Sequence, residues 1–114
     1  MELEYKTKKI KKQCENPKEA QKEYGTKIGD KLTQRVGELI SATSLLDISN
    51  IPVARLHKLK GKRADEYAVD LVHPHRLVFK PILTGEDNEG DKLESIKIIR
   101  IEEVTDYHGK QKRK

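Results

Sequence analysis

The chain predicts an α+β fold, a helical hairpin packed on a small twisted antiparallel sheet, and three observations carry that prediction. Apolar residues recur every three to four positions from Ala20 to Ile40, the helical period, and alternate with polar ones after Pro52. The later apolar segments are joined by "KGKRAD", "HPH" and "TGEDNEGD", turns too short for parallel crossovers, so neighbouring strands must run antiparallel. Finally, 114 residues with 34% hydrophobic content, no Trp and one Phe allow one small aliphatic core and leave no length for a second.

Taken in order, Leu3 and Tyr5 alternate with Glu2 and Glu4, which reads as a short opening strand. In "KTKKIKKQCEN", Ile10 and Cys14 lie four apart on one face of a short helix otherwise covered in Lys. "NPKEAQ" opens the next helix: Asn16 can cap it, Pro17 suits its first turn, and Glu19 can reach back as a capping-box partner. That helix is expected to run to about Ser41, with Ala20, Tyr24, Ile28, Leu32, Val36 and Leu39 or Ile40 forming its apolar stripe. Gly25 and Gly29 fall inside it, and close packing against the first helix is the use expected of them. A loop or short turn through "SLLDISNIP" ends the helical half. Arg55–Lys60, Glu66–Val72, Leu77–Leu83 and Leu93–Val104 then read as strands rich in Val, Ile and Leu. One domain is expected over residues 1–108, followed by a basic tail, 109–114.

Charge narrows the function. The chain holds 24 Lys and Arg against 19 Asp and Glu, a net charge of +5, which suits a polyanionic partner. Its distribution is uneven: five cations and no acid lie between Arg55 and Arg63, while five acids and one Lys lie between Glu86 and Glu94. Cys14 is alone, so neither an intrachain disulfide nor a Cys-based metal site is expected, and a reducing compartment fits. No apolar run approaches the roughly 20 residues that span a bilayer, and "MELEYKTKK" lacks the apolar stretch of a secretory signal. A cytoplasmic protein without membrane contact is the expectation.

Gly-rich phosphate loops, an HExxH zinc motif and a nucleophile-elbow Ser are all absent from the sequence. His73 and His75 in "HPH" lack a carboxylate or Cys partner in sequence and read as a solvated turn. Two clusters remain. In "ARLHKLKGKR" a strand would put Arg55 and His57 on one face and Lys58 and Lys60 on the other, and twist or a bulge near Gly61 could bring both toward one edge. A solvated, Lys-protected edge strand explains this segment about equally well. The second cluster is Asp106-Tyr107-His108, a carboxylate, a phenol and an imidazole at the end of the last strand. Beside a basic patch these are the groups that RNA cleavage through the 2′-hydroxyl uses: a base, an acid and cations around the pentavalent phosphate. Histidine suits both proton roles because its unperturbed pKa is about 6.5.

"RLHKLKGKRADEYAVDLVHPHRLVFKP" followed by "IEEVTDYH" resembles the RelE/ParE superfamily of type II toxins, in its HigB-like (host inhibition of growth) branch. The resemblance spans nearly the whole chain, and "KLKG" paired with the later "DYH" is its most specific part. It implies a RelE-like, microbial RNase-type fold and an endoribonuclease (mRNA interferase) that needs no metal or other cofactor and cuts mRNA, usually on the ribosome. Carried over by motif, His57, Asp106, Tyr107 and His108 are the expected catalytic residues. Lys60 and Arg76 match basic positions that contact substrate phosphates, and Arg55, Lys58, Lys62 and Arg63 complete the expected basic surface. The implied partners are mRNA, the ribosome and a helix-turn-helix (HigA-like) antitoxin, with operator DNA bound only through the toxin–antitoxin complex. Two rival functions share the fold or the charge: a ParE-like inhibitor of DNA gyrase, which needs no proton-transfer group, and a non-catalytic RNA-binding protein, against which the few aromatic residues count.

Overall fold

The computed structural model describes residues 1–83 and 92–106. The acidic loop at 84–91, Tyr107, His108 and the tail 109–114 lie outside the described residues.

The opening strand, β1 (Glu2–Tyr5), leads to α1 (Lys8–Glu15), whose first turn is capped by the Thr7 hydroxyl accepting from the Ile10 amide at 3.1 Å. Ile10 and Cys14 are both buried, as their spacing predicts. Asn16 ends α1 and caps α2 (Pro17–Tyr24), its side-chain oxygen accepting from Lys18 N–H. Glu19 does not close the capping box; its carboxylate faces Lys12 at 3.9 Å.

The long helix expected from Pro17 to Ser41 is two helices. Gly25 takes φ +88°, a conformation that costs L residues and not glycine, and α3 (Thr26–Ser41) turns back on α2. The hairpin is therefore α2 against α3, where close packing against α1 was expected. Gly29 makes the close approach possible: a Cβ there would sit 2.7 Å from the Gln21 amide nitrogen and 2.8 Å from the Ala20 carbonyl carbon. The apolar period continues through the break, with Leu32, Val36 and Leu39 buried and Ile40 54% exposed.

"SLLDISNIP" contains a short helix, α4 (Leu45–Ser49), capped by Ser44 and steadied by Asp47 accepting from the Thr43 amide. Arg55–Lys60 shrinks to a two-residue strand, β2 (His57–Lys58), between single 3₁₀ turns at Pro52–Ala54 and Gly61–Arg63. Next come β3 (Tyr67–Asp70), β4 (His75–Pro81) and β5 (Ile98–Asp106), the last preceded by a 3₁₀ turn where strand was expected from Leu93.

The sheet order is β1-β5-β4-β3-β2. The β2 to β5 meander is antiparallel, and β1 adds to β5 in parallel, so the sheet is mixed. Tyr67, Val69, Leu77, Phe79, Ile99 and Ile101 point to the helices and join Leu32, Val36, Leu39 and Ile48 in the core. Burying each large aliphatic or aromatic side chain contributes about 1.5–3 kcal/mol. Among the described residues, no helix is long and apolar enough to cross a membrane.

One irregularity decides which way the end of β5 faces. Val78 pairs with Glu103 but Phe79 pairs with Ile101, leaving Glu102 as an extra residue on β5. This bulge puts Ile101 and Val104, three apart, on the same helix-covered face. Glu102 is itself buried, held by Arg100 Nε at 2.6 Å and Lys6 Nζ at 3.7 Å.

Candidate functional site

Directly opposed residues in antiparallel strands project to the same side. The register therefore places His57, Ala68, Val78 and Glu103 in one row across the sheet face turned away from the helices, with Asp70, Arg76 and Thr105 in the next row on that face. At the β2 end of these rows is a cleft of about 360 Å³. Arg55, His57, Lys58, Lys60, Arg63 and Arg76 line it, with Leu59. Being at the edge, β2 presents both of its faces to the same hollow, so His57 and Lys58 share it despite their alternation.

The cations are not equivalent. Lys58 Nζ stands 5.9 Å from the centre of the Tyr67 ring, a cation–π arrangement at the rim. The Arg55 guanidinium is turned onto Asp70, with Nε–Oδ2 at 2.7 Å and Nη2–Oδ1 at 3.2 Å. Arg63 donates from Nε to Glu66 and from Nη1 to Glu103 at 2.7 Å, crossing over the row of fully buried Ala68 and Val78. Burial works against its charge, but the hydrogen bonds to Glu103 and Glu66 outweigh it and hold its pKa above the ordinary arginine value. Lys60 is exposed and lines the cleft; Lys62 is exposed and does not.

His57 is held through one nitrogen. Its Nδ1 lies 2.8 Å from the Arg55 carbonyl oxygen, which can only accept, so in the neutral ring Nδ1 carries the proton and Nε2 keeps its lone pair. That carbonyl is aimed by an unusual backbone: Arg55 has φ +47°, the left-handed region, as it leaves the Pro52–Ala54 turn. A residue with a Cβ pays roughly 1–2 kcal/mol there, so the surroundings must hold it.

Asp106 lies elsewhere. Its backbone is opposite His75, three strands from His57 counting across the sheet, and the β5 bulge turns it to the helix side. The imidazole it faces is His75, with Nε2 to Oδ2 at 4.0 Å. His75, read from sequence as part of a solvated turn, is instead half-buried at the start of β4, and its Nδ1 has no hydrogen-bond partner among the described residues. The structure thus brings His57 together with Arg55, Lys58, Lys60, Arg63 and Arg76 and keeps Asp106 apart from them; Tyr107 and His108 lie outside the described residues.

Two residues at the site were missed by sequence reading. Arg35, 3% exposed on α3, donates from Nε to the Asp70 carbonyl at 2.8 Å, from Nη2 to the Val53 carbonyl at 3.2 Å, and from Nη1 to Glu38 at 3.1 Å. It ties the turn before Arg55 to the end of β3, and so places Asp70 beside Arg55. A charged residue three positions after Leu32, within the apolar arc, was the signal that could have found it. Asp70 had no signal beyond being the last residue of "EYAVD".

A larger hollow, about 590 Å³, runs along β1 and α1 at the far edge of the sheet, and no histidine lines it among the described residues. Among the described residues, no three His, Cys, Asp or Glu side chains gather into a set that could hold a metal ion.

No protein-family model matches the chain, and no curated protein matches it. Among solved structures it is similar to a YoeB/ParE toxin from Agrobacterium tumefaciens, with 15% identity and a TM-score of 0.47 over 93% of this chain and 94% of that chain.

Proposed function

We propose that the chain is a metal-independent endoribonuclease and the toxin of a type II toxin–antitoxin pair, cutting mRNA at the ribosome in the cytoplasm. The observation that supports this reading is the cleft in which His57, its Nδ1 at 2.8 Å from the Arg55 carbonyl oxygen, lies among Lys58, Lys60 and Arg76. Nε2 takes the proton from a ribose 2′-hydroxyl, the 2′ oxygen bonds to phosphorus, and the 5′ oxygen leaves carrying a proton from a general acid. The products are a 2′,3′-cyclic phosphate and a 5′-hydroxyl. Lys60 and Arg76 compensate charge on the phosphorane, and His108 is the proposed acid. Tyr107 stacks on or hydrogen-bonds the RNA, and Asp106 orients or charges an imidazole, for which His75 is the partner in reach.

The remaining partners belong to the same proposal: a HigA-like antitoxin that neutralises the chain, and operator DNA bound only through that complex. The test is induction of the wild type, His57→Ala and His108→Ala in cells with mapping of RNA 5′ ends. New ends within codons, lost in the variants, are expected; full cleavage by both variants would end the proposal. One observation favours the non-catalytic RNA-binding alternative, the separation of Asp106 from His57 by the thickness of the sheet. Under that reading the wild type binds RNA and makes no new ends. Double-strand DNA breaks on induction would point instead to gyrase inhibition.

A further inference from the structure

We infer that Asp70 is a positioning residue for His57, clamping Arg55 in the left-handed conformation whose carbonyl accepts the Nδ1–H hydrogen bond and so leaves Nε2 as the basic nitrogen of the cleft. The chain of contacts is continuous. Asp70 grips the Arg55 guanidinium through both carboxylate oxygens, at 2.7 and 3.2 Å. The Arg55 amide donates to the Pro52 carbonyl at 3.0 Å, which with the guanidinium clamp holds the residue at both ends. Its carbonyl, turned by φ +47°, meets His57 Nδ1 at 2.8 Å. Asp70 is held from behind by Arg35, which bonds the Asp70 carbonyl and the Val53 carbonyl together.

The clamp has work to do because both ends of this arrangement run against ordinary preference. A non-glycine residue leaves the left-handed region unless surrounding contacts hold it there. A neutral imidazole in water favours the proton on Nε2, the tautomer that could not act as base toward the cleft. The bidentate arginine–carboxylate pair adds two directed hydrogen bonds that restrain Arg55 from its side chain.

The consequence for cleavage rests on the nuclease reading; the tautomer does not. The test uses the full chain with ¹⁵N-labelled histidine, read by long-range ¹H–¹⁵N correlation in mildly alkaline buffer. The wild type is expected to show His57 protonated at Nδ1, and Asp70→Ala to shift it toward the Nε2–H form. In RNA cleavage, Asp70→Ala is expected to lower kcat on the order of 10-fold with KM unchanged or lower. Removing an acid beside a basic cleft would by charge alone help RNA bind, so a fall in kcat without a rise in KM separates positioning from charge. Asp70→Asn, which keeps the shape and one acceptor for Arg55, is the second variant and is expected to mix the two tautomers. Unchanged wild-type nitrogen shifts in folded Asp70→Ala, or in Asp70→Asn should the alanine variant not fold, overturn the inference. A shifted tautomer in a protein whose wild type cleaves no RNA upholds the positioning role while removing the nuclease reading.

Discussion

The two faces of the sheet are built on opposite principles. Two titratable groups on the helix side are held neutral by burial. Burial, then Glu15, pushes the Cys14 thiol up to about 12, and burial, with Glu23, Cys14 and Glu103 after it, pushes the Tyr24 hydroxyl up to about 12. The other face keeps its groups charged and pairs them: Arg55 with Asp70, and Arg63 with Glu66 and Glu103. For Cys14 and Tyr24 ionisation is suppressed chiefly by burial. On the other face, paired acids hold two of the cations, and His57, Lys58 and Lys60 lie together at the β2 edge. The apolar face supplies stability and the charged face supplies geometry.

The largest effect should come from the charged face. Replacing His57 with Ala is expected to reduce RNA cleavage by about 10²- to 10⁴-fold, the usual span for a general base, with the far-ultraviolet circular dichroism unchanged because the ring is only half-buried at the edge. Asp106→Asn, on the helix side of the sheet beside His75, should cost less than His57→Ala in the same assay. An equal loss in the two would mean that the faces cooperate across the edge of the sheet and are not independent.

Next in size is a change to the apolar face. Gly29→Ala drives a methyl group into backbone atoms of Ala20 and Gln21, which have no rotamer through which to yield. The α2–α3 hairpin must open, at a cost of about 1–3 kcal/mol in urea unfolding. The His57 tautomer should be unaffected, since it is set by contacts on the other face.

How far the sequence could foretell this division depended on whether a feature was local. Asn16 as a cap, Ile10 with Cys14 as a buried pair, and His57 with Lys58 and Lys60 at one edge all follow from residues within a few positions of one another. The break at Gly25 was hidden because the apolar period runs through it unbroken, so α2 and α3 together imitate one helix. Asp106 was a subtler case. Counting by twos from Ile99 and Ile101 sends it to the open face with His57; the extra residue Glu102 reverses the count, and nothing in "IIRIEEVTD" marks a bulge. The partners of Arg35 were hidden because they are backbone carbonyls, which carry no sequence identity, and Asp70 was hidden because the arginine it grips lies 15 residues away.

Alkaline pH tests the neutral face more gently. Cys14 ionises at an ordinary value of 9.0 when unfolded and at about 12 when folded, so the unfolded chain binds fewer protons in that window. Stability is then fully present below pH 9 and declines as pH rises from 9 toward 12. Going from pH 8 to pH 10 opens roughly one unit of that window and should remove about 1 kcal/mol. Cys14→Ala should flatten this slope, although it costs packing at every pH. The slope should persist in His57→Ala, whose change lies on the other face.

The smallest expected effect separates lysines that composition cannot tell apart. Lys60 and Lys62 are both exposed and only two residues apart, yet only Lys60 lines the cleft. A lysine that neutralises a phosphate releases a counterion, so its removal should lower the slope of log binding constant against log salt by about 0.7 for single-stranded RNA. Lys60→Ala should show that reduction, and Lys62→Ala should leave the slope within error of the wild type. Measuring RNA binding at several salt concentrations in a His57→Ala background, where cleavage is expected to be slow, would read both. If both lysines lower the slope equally, the RNA follows the whole turn after β2 and not the cleft, and the charged face binds by general attraction. A slope lowered by Lys60→Ala alone would mean that the backbone path of the RNA passes beside the free nitrogen of His57, as attack by its 2′-hydroxyl requires.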